Sequence, residues 1–386
     1  MTSIYMDHNA TTSVRAEVMR AMWRYYETEW GNASSIHWAG RAPAAAIDDA
    51  RDAVAGLIGA RPRDLFFTSG GTEADNTALH GILWAHRDKG RHIITSGIEH
   101  KAILDMVKYL EKAHDCEVTL LGVDSFGRHD LDELRDAIRE DTILVSVMLA
   151  NNEIGNLNPV AEMAEIAHER GVLFHTDAVN ALGKHRIDVK SLGVDLMSIS
   201  SHKIYGPKGV GALWVKRKTP FQPMILGGGQ ERGRRCGTYN TAGIVGFGEA
   251  ARRIAEDMEN GLIERMAELR DLLELRIRSQ VPDVETNGDA EGRLPNTLNL
   301  SFDGVDGEAL VLNLDLRGIA ISTGSACTSG SLDPSHVLVA LGKDAKWLDA
   351  AIRFSIGRAT TEDEVETVAK AVAEEVRRLR MVAESA

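Results

Sequence analysis

Short apolar runs alternate with amphipathic stretches from about residue 47 to residue 215, and that beat constrains the chain to an α/β sheet. Leu65–Thr68, residues 92–96, residues 117–123 and Ile143–Leu149 read as strands, and Val172–Asp177, Leu196–Ser200 and Gly211–Val215 continue the series. Between them, Ile47, Ala50, Val54, Leu57 and Ile58 fall on one helical face. Helices are expected near 100–112 and 130–139, and Met163, Ile166 and Ala167 mark the inward face of another. A run as continuously apolar as Ile143–Leu149 suits the centre of a sheet covered on both faces. Polar residues recur just past the strand ends, where ligand sites open in such sheets.

The pattern changes further along. Residues 220–243 are rich in glycine and proline and read as an active-site or dimer-edge loop, followed by a long charged helix over roughly 245–279. Thr297–Phe302, Ile319–Ser322 and Ala351–Ser355 then read as strands among further helices. The expected fold is α/β: a large, mostly parallel central sheet with a smaller α+β domain. We place the large domain at 13–257 and the small one at 258–386 together with 1–12. A chain of 386 residues, 44% apolar, can bury cores of that size.

A formal charge of -13 argues against a surface that wraps nucleic acid. Cys116, Cys236 and Cys327 have no zinc-like spacing and cannot all pair with one another, which points to a reducing compartment and no metal site. The N-terminus lacks a basic flank leading into a long apolar segment, and no later run approaches a membrane span. A cytoplasmic protein away from membranes is expected.

Lys203 closes the apolar run that begins at Leu196 and is followed by the glycine-bracketed turn Gly206-Pro-Lys-Gly209. A lysine held there can form a Schiff base with an aldehyde cofactor, although a turn lysine can also be merely solvated. The upstream residues supply what pyridoxal phosphate needs. Gly70, Gly71 and Thr72 curve into a helix start that can hold an anion, a signal that alone equally describes a turn and N-cap. Asp177 ends a strand, where a carboxylate can keep a pyridine nitrogen protonated and improve the ring as an electron sink. His100 opens a helix and can stack on the ring. Asn151 and Asn152 follow the central strand, where one of the two amides can touch the cofactor's phenolic oxygen or the substrate, and Asn180 lies three residues past Asp177, close enough to line the same cavity; Ser200 and His202 can hydrogen-bond a phosphate.

With these residues in place, the chain resembles the cysteine desulfurases among the fold-type I pyridoxal-phosphate enzymes. The resemblance runs almost end to end. It is carried by Tyr5–Thr12, Gly31–His37, Thr68–Glu73, Glu99-His100, Ala150–Glu153, His175–Ala178, Ser201–Lys203, Gly227–Gly233, Arg235–Thr238, Gly324–Gly330 and Arg353–Ser355. It implies a covalent aldimine between Lys203 and pyridoxal 5'-phosphate, with Lys203 also moving protons. His100 would stack on the ring, Asp177 would meet the pyridine nitrogen, and Gly71, Thr72, Ser200 and His202 would surround the phosphate. Thr238 would reach that phosphate from the other subunit of a homodimer. Asn32, Asn151 and Arg353 would bind L-cysteine, Arg353 through its carboxylate. Cys327 would be the nucleophile that takes the substrate's sulfur as a persulfide and releases L-alanine.

Two departures stand out. Asn180 occupies a position where the family commonly has glutamine, so its shorter amide would either leave a water-filled gap or alter the hydrogen bond to the cofactor's oxygen, and Cys236 replaces a small residue. Within the family, the resemblance points to the enzymes of bacterial DNA phosphorothioation, which pass sulfur to a separate modification protein. An iron-sulfur scaffold or tRNA thiolation is the alternative acceptor route. An aminotransferase or β-lyase would use Lys203 and Asp177 without needing Cys327.

Overall fold

The computed structural model describes residues 3–323 and 334–384. Seven strands form the main sheet in the spatial order Leu65–Thr68, Gly211–Val215, Leu196–Ser200, Leu173–Asp177, Thr142–Ser146, His92–Ser96 and Glu117–Leu121. Gly211–Val215 runs antiparallel to both neighbours, and every other pairing is parallel. Six of the strands are buried at nearly every position because helices cover both faces, leaving no solvent side along which exposure would alternate. The edge strand Glu117–Leu121 is the exception, with only Leu121 buried.

Parallel strands bring their carboxyl ends to one side, so Ser96, Ser146, Asp177 and Ser200 gather along one rim of the sheet. The pairing of Asp177 with Ser198 and of Ser200 with Gly211 sets that rim in register. The helix Gly71–His86 begins at the same rim, immediately after the strand Leu65–Thr68.

A second, antiparallel sheet follows in the order Ser322–Thr323, Ala351–Ser355, Thr297–Phe302 and Val284–Thr286. Ile4–Tyr5 pairs in parallel with Ile319–Ala320, which carries the N-terminal segment across to this part of the chain. The helix Glu362–Glu384 packs its Val365, Val368 and Val372 face beside Leu262–Gln280.

Several expectations shift in detail. The single charged helix over 245–279 is two helices, Thr241–Glu259 and Leu262–Gln280. They part where Gly261 takes φ +84° and the Asn260 side chain donates to the Glu256 carbonyl, which ends the first helix by satisfying one of its last acceptors. The strand Ile319–Ser322 is two short ones, since Ile319–Ala320 pairs with the N-terminus while Ser322–Thr323 joins the antiparallel sheet. The ladder of Ile143–Leu149 ends at Ser146. Among the described residues no helix is long and apolar enough to cross a membrane.

Candidate active site

A cavity of about 340 Å³ opens at the sheet rim and is walled by residues from widely separated parts of the chain. Gly71 and Thr72 come from the helix start, His100 from the next helix, Asp177 and Asn180 from the end of Leu173–Asp177, and His202 and Lys203 from the turn after Leu196–Ser200. Arg353 enters from the antiparallel sheet, and Asn9 and Ala10 from the N-terminal segment.

The helix start is shaped for close approach. A Cβ on Gly71 would lie 2.6 Å from Val179 Cγ2, so only glycine lets the turn sit against the strand end that carries Asp177. The first backbone N–H groups of this 16-residue helix have no partner within the helix and face the positive end of its dipole. Glu73, one position after Thr72, accepts from the Ser69 N–H at 2.8 Å and pairs with Arg235 at 2.8 Å. The turn is thereby pinned from outside the cavity.

Lys203 Nζ donates to the carbonyls of Asn9 and, at 3.2 Å, Ala10. The turn behind it is held tightly: Tyr205 adopts φ +65°, rare for a non-glycine residue, and donates its N–H to Thr12 Oγ1 at 2.7 Å. Next to Lys203, His202 bonds Thr11 Oγ1 at 3.2 Å. Burial, reinforced by the Lys203 and Lys184 charges, pushes its imidazole down to about 3, so His202 is neutral at physiological pH.

His100 caps the helix Lys101–His114, its Nδ1 accepting from the Ala102 N–H at 3.1 Å. That bond puts the ring's own proton on Nε2 in the neutral form. Asp177 Oδ1 accepts from Val179 N–H at 2.8 Å. Burial makes its carboxyl a weaker acid than an ordinary aspartate, while the His100 and Lys203 charges oppose that shift. Asp75, fully buried on the cavity wall, is raised well above the ordinary range by burial and then by Asp177. Two carboxyl groups in one dry site resist joint ionisation, so Asp177 calls for a cation at its side. His175 lies 3.7 Å from Asp75 and bonds Ser146 and Ser198, but burial holds it down to about 3 and it supplies no charge.

Arg353 is 2% exposed and is gripped by Asp7 at 2.7 Å and by the Asn152 carbonyl at 3.1 Å. Its Nε has no hydrogen-bond partner, nor do Ser200 Oγ and Asn180 Nδ2. Buried polar groups of this kind are normally satisfied. The arrangement is a receptor for a group with a phosphate, a second oxygen and a protonated ring nitrogen, and pyridoxal phosphate has all three.

Not every expected residue reaches the cavity. Asn151 is buried beside it with its amide already committed: Nδ2 donates to the Ile98 carbonyl at 2.9 Å, and Oδ1 accepts from Glu153 and Ile154. Asn152 is the member of the pair on the wall. Asn32 is exposed, its Oδ1 accepting from Ser34, and Thr238 is also exposed; neither lines the cavity. Ser200 sits just behind the wall. Cys327 lies outside the described residues. The flanks of its segment are described: Ser322 pairs with Arg353, and Ser335 donates to Glu153 while His336 bonds the Glu99 carbonyl at 2.9 Å.

Sequence reasoning gave no site role to Asn9, Ala10, Asp75 or Lys184, and of the pair Asn151-Asn152 it favoured Asn151. The Tyr5–Thr12 stretch was the available signal for the first two, but they contribute carbonyl oxygens, which residue type does not reveal.

The Aminotransferase class-V family profile matches residues 4–368. Cysteine desulfurase IscS of Dictyoglomus turgidum is 46% identical over 379 residues, covering 98% of this chain and 96% of that protein. This chain belongs to the cysteine desulfurases of the aminotransferase class-V family. A solved NifS-like protein superposes with a TM-score of 0.91 at 37% identity, covering 98% of this chain and all of the other. The structure of DndA from Streptomyces lividans gives 0.76 at 36% identity, covering 90% of this chain and 97% of the other. The fold is therefore that of the fold-type I enzymes, and the chain is a pyridoxal-phosphate-dependent cysteine desulfurase whose cofactor is bound to a lysine. Among the described residues no group of three or more histidines, cysteines or acids is placed to hold a metal.

Proposed function

We propose that the lysine is Lys203 and that the enzyme converts L-cysteine to L-alanine with the sulfur left as a persulfide on Cys327. The observation that carries this reading is the convergence of Lys203, Asp177, His100 and Arg353 on one cavity beside unpaired anion donors. Bound pyridoxal phosphate supplies an electron sink for breaking bonds at the substrate's Cα and Cβ. Asp177 holds a proton on the ring nitrogen, and Asn180 donates to the phenolic oxygen. Gly71, Thr72, Ser200 and His202 hold the phosphate. Arg353, oriented by Asp7, takes the substrate carboxylate, while Asn152 extends that wall. Asn32 and Asn151 act on the substrate from positions outside the wall, Asn151 by fixing the turn that carries Asn152.

Overall, the Cβ–S bond of cysteine breaks and an S–S bond to Cys327 forms. One of the two thiol protons ends on the substrate's Cβ and the other on the terminal sulfur, so that alanine leaves and the persulfide stays on Cys327 with atoms and electrons balanced. Thr323, paired with Ile352 next to Arg353, is four residues before Cys327, and a span of that length reaches at most about 14 Å.

The working form is a homodimer. Met19, Trp23 and Tyr26 share one face of the helix Ala16–Glu27 and are 49%, 61% and 62% exposed; Trp30, Ile36 and Trp38 just after it are 71%, 97% and 76% exposed. A second copy is the occupant that covers this apolar surface and brings Thr238 to the opposite phosphate. The division into 13–257 and 258–386 with 1–12 is retained on the strength of the two sheets and the pairing of Ile4–Tyr5 with Ile319–Ala320.

For the acceptor we favour an iron-sulfur scaffold protein, in line with the IscS name of a relative matched over almost the whole chain. A DNA-phosphorothioation component is the second reading, supported by the likeness to DndA at lower coverage and identity. The charge of -13 fits a cytoplasmic sulfur donor that meets proteins instead of DNA. The test compares alanine and sulfide production by the wild type, K203A and C327S, followed by sulfur transfer to each class of acceptor. K203A is expected to lose visible cofactor absorbance, and C327S to keep it while losing turnover. Unchanged turnover in C327S would return the chain to an aminotransferase or β-lyase reading.

A further inference from the structure

Lys184 is 5% exposed and makes no ion pair among the described residues. A buried ammonium without a carboxylate is costly, so its retention calls for a compensating role. Its position follows from the turn after Leu173–Asp177. Gly183 takes φ +73°, and a Cβ there would lie 2.7 Å from both Ile204 and Ile254, so the chain folds back tightly and returns Lys184 beneath Asn180. Lys184 Nζ then donates to the Asn180 carbonyl at 2.9 Å and to Asn180 Oδ1 at 3.3 Å.

Those two bonds decide which end of the Asn180 amide is available. Ammonium is only a donor, so it selects Oδ1 and fixes the side chain against a flip. Nδ2, the remaining donor, has no partner among the described residues, and Asn180 lines the cavity. We propose that Lys184 is a positioning residue: it orients the short amide of Asn180 so that Nδ2–H meets the phenolic oxygen of the cofactor. This inference rests on the assignment of Asn180 to that oxygen in the proposed function. It also explains how an asparagine serves where a glutamine is common, since a lysine one turn on holds the shorter side chain in place.

Lys203 and Arg353 are the other charged groups that act on Lys184, and both disfavour its protonation, as burial does more strongly. His8 and His202 also face this group, and its charge helps to keep both imidazoles neutral. A phenolate is the anion that would relieve this concentration of cationic groups.

The test needs no turnover. Full-length apoprotein is titrated with pyridoxal 5'-phosphate and, separately, with its 3-deoxy analogue, which lacks the phenolic oxygen. The wild type is expected to bind the analogue roughly tenfold more weakly, the scale of one charge-assisted hydrogen bond. K184M should bind the natural cofactor roughly tenfold more weakly than the wild type does and bind the analogue equally well, erasing the discrimination. If K184M loses affinity for both ligands by the same factor, Lys184 has only a structural role and the proposal is overturned. Should K184M fail to fold, K184A carries the test: preserved discrimination in that variant overturns the proposal, and lost discrimination with the analogue bound as in the wild type supports it. Failure of the wild type to take up pyridoxal phosphate at all would instead strike the assigned function.

Discussion

At the scale of single residues, the site separates binding from electronic work. Arg353 presents a planar fork held by Asp7 and the Asn152 carbonyl, a geometry that lysine cannot reproduce. R353K is therefore expected to raise KM for L-cysteine roughly tenfold or more while leaving cofactor absorbance intact. Steady-state kinetics check this, and an unchanged KM would remove Arg353 from the carboxylate site. Asp177 acts on the ring instead. D177N should retain the cofactor yet lose about a hundredfold in turnover, ~2.7 kcal/mol, because an amide cannot hold the ring nitrogen protonated. Alanine production measures it, and wild-type turnover in D177N would contradict the assignment. Lys203, Asp177 and His100 were legible in the sequence because each stands at a strand end or helix start, where position and residue type speak together. Asp75, Lys184 and the Asn9 carbonyl were not, since their roles depend on contacts between distant segments; Asn9 meets Lys203 across 194 positions of sequence.

At the scale of elements, the turn after the central strand links the site to the described flank of the Cys327 segment. Glu153 in that turn is 4% exposed and accepts from Ser335, the N-cap of His336–Ala340. Burial raises its carboxyl from 4.5 to about 7, with Ser335 pulling the other way. The folded state thus binds the proton more tightly than the unfolded state does. Its contribution to stability is fully present below pH 4.5 and is lost as pH rises through about 7, on the order of 3 kcal/mol across the window. E153Q keeps an acceptor for Ser335 without the ionisation. Its stability relative to the wild type should therefore rise between pH 4.5 and 7, as followed by thermal or urea unfolding. A difference independent of pH would contradict the buried-acid account. The main-sheet strands were readable from their unbroken apolar runs, whereas the break at Gly261 and the exchange of partners at Ile321 were not. A glycine in a charged helical stretch and one residue between two sheets leave the local hydrophobic period almost unchanged.

At the scale of the whole molecule, the rim of one sheet, an arginine from a second sheet and the N-terminal segment enclose a single cavity. Near-continuous similarity to cysteine desulfurases made the fold legible, but the surface proposed for a second copy rests on the exposures of Trp23, Tyr26, Trp30 and Trp38. W23D should shift the protein from dimer to monomer in sedimentation at micromolar concentration and reduce turnover together with cofactor retention, because Thr238 would no longer reach its site. A wild-type protein that is fully active as a monomer would contradict this arrangement. The central claim is sulfur transfer from L-cysteine to Cys327, and it is tested most directly by mass spectrometry of the Cys327 peptide after a single turnover in the absence of reductant. The account predicts that the peptide gains the mass of one sulfur atom in step with one alanine per site. Alanine formed with the Cys327 peptide unmodified, and with the same yield from C327S, would contradict it.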